Sequence, residues 1–146
     1  MAAGLTLKLA DFAKFQSIFD EEVRKHLGPE DLQGIILSDG ELLAEELSLE
    51  VAELLRSGGP WGQGFPEPVF DGVFTIARRR IVGEKHLKLL LQIPGKAQLI
   101  DAIAFNTDDT AWPADMEKIH LAYRLDVNEY RGQRSPQLIV EHVDIH

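Results

Sequence analysis

The basic side chains in the second half of the chain fall into two groups whose types suit a phosphate backbone. Arg80, Lys85, His86 and Lys88 crowd around one turn and the strand after it, while Tyr130, Arg131 and Arg134 share a polar connection, with Arg124 nearby on an outward strand position. Guanidinium and ammonium groups neutralise phosphates and release their counterions, and an exposed tyrosine ring can stack a base. Together these would hold a single strand with little regard to its sequence. The same residues on outward strand faces also serve plain solvation, and composition alone does not choose between the two.

Charge is unevenly spread. The 146 residues carry a net charge of -9, but residues 1–68 hold 5 basic and 13 acidic side chains, whereas residues 69–146 hold 10 basic and 11 acidic. The acid sits in the first half, which leaves room for a local basic groove in the second, although a strongly basic domain is absent. Zero cysteines exclude disulfides and thiolate metal sites and accord with a cytoplasmic location. Apolar runs such as Leu89-Leu90-Leu91 are too short to span a bilayer, so no membrane role is expected.

Other chemistries find little support. His26, His86, His120, His142 and His146 show no metal-ligand spacing, and His120 and His142 read as exposed strand residues. Asp108-Asp109 is the only adjacent acidic pair in the strand-rich half and is better read as a loop or helix start than as acid–base machinery. There is no phosphate-binding glycine loop ending in Lys and no Gly-x-Ser-x-Gly elbow. The residues therefore assign no catalytic group and no metal ligand.

The elements that must carry the basic groups can be read in order. Leu5, Leu7 and Leu9 alternate as in a half-buried strand; Asp11 then caps a helix whose Phe12, Phe15, Phe19, Val23 and Leu27 form a core stripe, ended by Gly28-Pro29. Ile35-Ile36-Leu37 reads as a short strand, Ser38-Asp39-Gly40 as a turn and Leu42-Leu43 as a brief extended return. Ser48 caps a second helix through Leu55 whose neighbouring acids, Glu45, Glu46, Glu50 and Glu53, read as a solvated face. Residues 58–70 pack four Gly, three Pro and three aromatics, the composition of an ordered corner rather than a loose tether. Its rings and Val69 still need somewhere to be buried.

After the corner come five expected strands at 69–82, 86–93, 98–105, 118–128 and 136–144. In the first, Phe70, Phe74 and Ile76 share a face, and strict alternation would bury Arg78 and Arg80, so a bulge near 77–80 is required. The third is apolar on both faces, with Leu99, Ile103 and Phe105 opposed by Ile100, Ala102 and Ala104. Asn106 to Asp115 is expected to plug the barrel with a short helix or loop anchored by Trp112. Five strands, a bent first strand and that plug give an α+β chain, predominantly a five-stranded OB-fold barrel preceded by a short strand and helix segment. In such a barrel the second and third strands and the loops joining strands one to two and four to five bind single strands, which is where the basic residues fall.

Several runs resemble the C-terminal portion of the RecJ family of single-stranded-DNA-specific exonucleases: Met1-Ala2-Ala3-Gly4-Leu5, Leu32-Gln33-Gly34 with Ser38-Asp39-Gly40-Glu41-Leu42, and Gly59 through Gly72. Gly83-Glu84-Lys85-His86-Leu87-Lys88, Ile103-Ala104-Phe105-Asn106 and Asn128 through Ser135 extend the likeness over essentially the whole chain. The resemblance implies that residues 1–28 are the truncated end of a DHHA1 domain and 29–146 an OB domain, with a lead-in over 30–68 and a barrel over 69–146. It implies a single-stranded DNA-binding module of a 5′-to-3′ exonuclease of recombination and repair. Mg or Mn would be held in a separate DHH domain; no Asp-His-His occurs here, so this chain alone is expected to be inactive and to need no cofactor. The alternative it implies is an interaction module docking an acidic tail, such as that of single-stranded DNA-binding protein, or the enzyme's DHH and DHHA1 domains.

Overall fold

The computed structural model describes residues 4–28, 31, 34–83, 85–107, 112 and 117–144, in two compact units, 1–35 and 36–146. In the first unit the leucine alternation does not become a strand: residues 4–8 are irregular and Leu9–Asp11 make a single 3-10 turn. A strand needs a neighbour to take its backbone N–H and C=O groups, and no edge exists among the described residues of this unit. Helix α1 (Phe12–His26) follows, with Asp11 already in helical backbone and making no capping bond. Arg24, Lys25 and His26 complement its C-terminal dipole. The aromatic stripe expected to be core is instead at the surface of this unit: Phe15 stacks on Phe19 at 5.5 Å, yet no α1 residue is buried. Pro29, the expected stop, lies outside the described residues.

The second unit begins with irregular backbone where strands were expected at 35–37 and 42–43. The turn at 38–40 is nonetheless tied down by hydrogen bonds. Asp39 N–H donates to the Val69 carbonyl at 2.7 Å, Asp71 N–H to the Gly40 carbonyl at 3.2 Å, and Val69 N–H to the Asp39 carboxylate at 3.1 Å. The turn thus pairs with the start of the barrel instead of with its own flanks.

Helix α2 (Leu49–Ser57) has the expected cap, Ser48 accepting from Val51 N–H at 3.4 Å. The acids expected to be solvated include two with structural tasks. Glu46 accepts the Leu43 N–H at 2.7 Å, and Glu53 pairs with Arg134 at 2.8 Å. The corner is ordered as expected: Trp61 and Phe65 stack at 4.9 Å, Trp61 Nε1 donates to the Leu55 carbonyl at 2.8 Å, and Gly62 bridges to Phe65. Gly59 lies under both rings, where a Cβ would sit 2.8 Å from Phe65 and 3.2 Å from Trp61.

Five strands, β1 (Phe70–Val82), β2 (His86–Gln92), β3 (Leu99–Ala104), β4 (Lys118–Tyr130) and β5 (Gln133–Asp144), close a barrel in the order β1-β2-β3-β5-β4. All pairs are antiparallel except β3 with β5. That order, with one parallel pair, is the OB-fold. The interior is filled by alternate residues: Leu87, Leu89 and Leu91, then Ile100, Ala102 and Ala104, then Ile119, Leu121, Tyr123, Leu125 and Val127, with Phe74 and Leu138. Helix α2 packs on β4 and β5 and adds Ala52 to this core.

The register of β1 steps between Ile76 and Arg78, the bulge that alternation required. Before it, β1 pairs with both β2 and β4; beyond it, residues 78–82 pair with β2 alone. Trp112 is buried as expected, its Nε1 donating to Thr107 Oγ1 at 2.7 Å and its carbonyl accepting from Arg79 at 3.0 Å. The rest of the expected plug, 108–111 and 113–115, with Asp108-Asp109, lies outside the described residues, as does His146. The polar connection expected over 128–135 is mostly strand. β4 and β5 run on to a two-residue turn, Arg131-Gly132, both with positive φ (51° and 76°), the backbone that a tight hairpin following strand twist demands.

Candidate nucleic-acid interface

Cross-strand pairing assigns the outer face of β1, β2 and β3 residue by residue. Because Leu87, Leu89 and Leu91 point inward, His86, Lys88 and Leu90 point outward. Their partners share that face: Val82 opposite His86, Arg80 opposite Lys88, Arg78 opposite Leu90. On the other side Ile103 pairs with Lys88 and Asp101 with Leu90. The bulge is what turns Arg78 and Arg80 outward, since without its extra residue both would face the core.

The result is a mixed surface. Arg78, Arg80, Lys88, Leu89, Leu90 and Asp101 line a cavity of about 210 Å³. Lys88 Nζ lies 3.1 Å from Asp101, whereas Arg78 and Arg80 have no carboxylate partner among the described residues. His86 sits edge-on to the exposed Phe105 ring at 5.2 Å, and its Nδ1 accepts the Asn106 N–H at 3.3 Å. Lys85 is exposed at the β1–β2 turn, where its carbonyl accepts from Thr107 N–H. Leu99, on the outer side of β3, and Phe105, one residue past its end, are about half exposed, at 48 % and 52 %.

The expected site residues do not form one cluster. Arg80, Lys85, His86 and Lys88 come together. Tyr130 and Arg131 lie at the β4–β5 hairpin tip, with the Arg131 guanidinium 5.2 Å from the centre of the exposed Tyr130 ring. As β5 runs parallel to β3 with Gln137 beside Asp101, that tip stands beyond the Leu99 end of β3, at the far end of the face from the β1–β2 turn. Arg134, at the same hairpin, is engaged by Glu53 of α2.

Arg124 is held most firmly. On the outer face of β4 it is clasped by Glu67 and, at 2.5 Å, by Glu141. Burial opposes its charge, but the hydrogen bonds it donates to Glu67 and then to Glu141 outweigh that cost and raise its pKa above the ordinary arginine value. A phosphate would have to compete with two carboxylates for it. Arg78, Leu90, Asp101 and Phe105 are the residues of the face that sequence reasoning did not single out. For Arg78 the signal was present in the bulge, and for Asp101 in being the one carboxylate of an otherwise apolar strand.

His120, expected to be an exposed strand residue, is half buried and lies 2.9 Å from the Asp71 carboxylate. Among the described residues no three His, Asp or Glu side chains converge as a metal ion would need, so this donor set does not fit Mg or Mn. Among the same residues no helix is long and apolar enough to cross a membrane.

Comparison with known proteins places these features. Over 144 residues, 98 % of this chain, it is 51 % identical to the single-stranded-DNA-specific exonuclease RecJ of Salmonella typhimurium and 49 % identical to that of Escherichia coli K12. The RecJ of Bacillus subtilis is 23 % identical over 145 residues. The chain spans about a quarter of the length of the first two relatives (25 %) and 18 % of the third. The crystal structure of Thermus thermophilus RecJ in complex with Mn2+ superposes with a TM-score of 0.67 at 21 % identity, over 98 % of this chain and 20 % of that one, and a likeness at that identity speaks for the fold. A second structure of the same protein, in complex with Mg2+, gives 0.66 at 20 %. Residues 38–142 match the RecJ OB domain, which is most of the chain and coincides with the barrel and its lead-in, so the chain belongs to the RecJ family.

Proposed function

We propose that this chain is the single-stranded DNA-binding module of a RecJ-like 5′-to-3′ exonuclease of recombination and repair, working in the cytoplasm. One observation carries the reading: the β1 bulge sets Arg78 and Arg80, without carboxylate partners among the described residues, beside Lys88, Leu90 and the exposed Phe105 on one sheet face. Cations over a platform of rings and aliphatic groups suit a flexible strand, whose phosphates and bases alternate. In the whole enzyme the face would guide a strand toward an active site in a DHH domain carrying Mg or Mn, with residues 1–28 belonging to a DHHA1 domain. The purified chain is expected to cleave nothing when Mn is added.

The proposed contacts are Arg80, Lys85, His86 and Lys88, with Tyr130 and Arg131 at the far end of the face, while Arg124 and Arg134 would reach a phosphate only by giving up their carboxylate partners and are assigned to structure. The test is the salt dependence of oligonucleotide binding. Replacing Arg80 or Arg131 by Ala lowers the slope of log K against log salt by about one unit each if they contact phosphate. Absence of binding by the chain, with no effect of these changes in the full-length enzyme, overturns the reading.

The Tyr130–Arg131 tip favours a second reading, because an exposed ring with a guanidinium against it also suits an acidic peptide. The tail of single-stranded DNA-binding protein has that chemistry. Competition between such a peptide and an oligonucleotide separates the two readings.

A further inference from the structure

We infer that the cavity between β1, β2 and β3 accepts a nucleobase rather than a phosphate, and that Asp101 makes it favour bases carrying an exocyclic amino group beside an acceptor, cytosine over thymine. This rests on the nucleic-acid reading above and adds to it a preference that the cationic residues alone would not give.

The composition of the cavity carries the argument. Its walls are Arg78 and Arg80 from β1, Lys88 and Leu90 from β2, and Asp101 from β3, around about 210 Å³. A phosphate placed there would meet the Asp101 carboxylate and would have to break its contact with Lys88 at 3.1 Å. A neutral base meets no such repulsion. The Lys88 and Asp101 side chains are 29 % and 31 % exposed, sunk enough to be partly desolvated yet open to a ligand from above. Lys88 engages Oδ1 of Asp101, and the second carboxylate oxygen has no hydrogen-bond partner among the described residues.

That second oxygen can accept only from a donor. Cytosine offers its N4 amino group, the base group that Asp and Glu recognise, next to the N3 and O2 acceptors, which face Arg or Lys donors. Thymine turns carbonyl oxygens toward the same carboxylate on either side of its single N3–H. Leu90, between Arg78 and Asp101 across the three strands, gives the base an apolar floor. Arg78 and Arg80 remain at the β1 side to meet the flanking phosphates, so position and selection fall to different residues.

The experiment compares binding of oligo(dC) and oligo(dT) of equal length to the 146-residue chain by fluorescence anisotropy at one fixed salt concentration. Oligo(dC) is expected to bind tighter by roughly five- to tenfold, the lower part of what one well-placed base contact gives. In Asp101→Asn the amide can donate as well as accept, and the preference is expected to collapse toward equality. Equal affinity of the unaltered chain for both oligomers overturns the inference without any variant. So does an Asp101→Asn chain that binds both more tightly by the same factor, because that is simple relief of charge repulsion. Failure of both oligomers to bind overturns the nucleic-acid reading itself, an outcome distinct from binding without preference.

Discussion

Asp71 on β1 lies 2.9 Å from Nε2 of His120 on β4 and also accepts the Ser38 hydroxyl, so one carboxylate fastens the 38–40 turn to two neighbouring strands. The Ser38 hydrogen bond first, and the His120 hydrogen bond second, hold the Asp71 pKa below its ordinary value of 3.8. His120 faces Asp144 as well, which is its register partner on β5. A carboxylate whose pKa is depressed on folding contributes stability that is present above its unfolded pKa and is lost as pH falls through the lower folded value. Asp71→Asn is therefore expected to lose about 1 kcal/mol at neutral pH, a modest figure because the pair is partly exposed. Urea midpoints followed from neutral pH into the acid range should converge for the two proteins below the native Asp71 pKa. A gap that persists there would place the cost in packing instead of charge.

Arg124 and Arg80 separate structure from binding. Both are arginines on outward strand positions, yet Arg124 is clasped by Glu67 and Glu141 while Arg80 has no carboxylate partner among the described residues. Arg124→Ala leaves two acids facing each other and is expected to lower stability by about 1–2 kcal/mol while leaving the salt slope of oligonucleotide binding unchanged. Arg80→Ala is expected to do the reverse, with a slope smaller by about one unit and an unchanged urea midpoint. Parallel titrations of the two variants check both halves. A slope change in Arg124→Ala would show that phosphate does displace its carboxylates.

The barrel was legible because its strands alternate. Leu87, Leu89 and Leu91, or Ile119 through Val127, fix their inward face without any knowledge of neighbours, and the conflict at Arg78 and Arg80 announced the bulge. Two readings that depended on a pairing partner failed. Leu5, Leu7 and Leu9 alternate equally well but have no strand to pair with among the described residues of their unit. Residues 128–135 look like a polar loop by composition, but outward strand positions are polar too, and only the pairing of Tyr130 with Gln133 reduces the connection to two residues. The site was half legible for the same reason. Arg124, Arg134 and the half-buried His120 are marked by types and position, while the carboxylates that engage them come from 17 to 81 residues away in sequence.

Gly132 tests the hairpin that presents Tyr130 and Arg131. Its φ of 76° is left-handed, and a Cβ placed there would meet nothing within 4 Å. Any effect of Gly132→Ala is thus conformational and not steric. The substitution is expected to cost about 1 kcal/mol in urea denaturation and to loosen the tip without unfolding the barrel. If Tyr130 and Arg131 take part in binding, oligonucleotide affinity should fall with it, and an unchanged affinity would confine binding to the β1–β2–β3 face.

Tyr123 offers the sharpest test of the core. It is fully buried at 0 % exposure, packed edge-on against Phe74 at 5.5 Å and tilted against Phe70 at 6.2 Å, and its hydroxyl finds no hydrogen-bond partner among the described residues. Burial, with the charges of Glu41, Asp71 and Glu46 nearby, pushes its pKa well above the ordinary tyrosine range. A buried hydroxyl without a partner carries a desolvation cost and no compensating bond, whereas the ring contacts are identical in phenylalanine. Tyr123→Phe is therefore expected to leave stability unchanged or raise it by up to about 1 kcal/mol, and Tyr123→Ala to lower it by about 3–5 kcal/mol through the cavity left between Phe70 and Phe74. Urea denaturation of both variants reads the two effects separately. A loss of more than about 1 kcal/mol in Tyr123→Phe would mean that the hydroxyl is paired in solution, and the carboxylates of Glu41 and Glu46 would then be the first acceptors to replace.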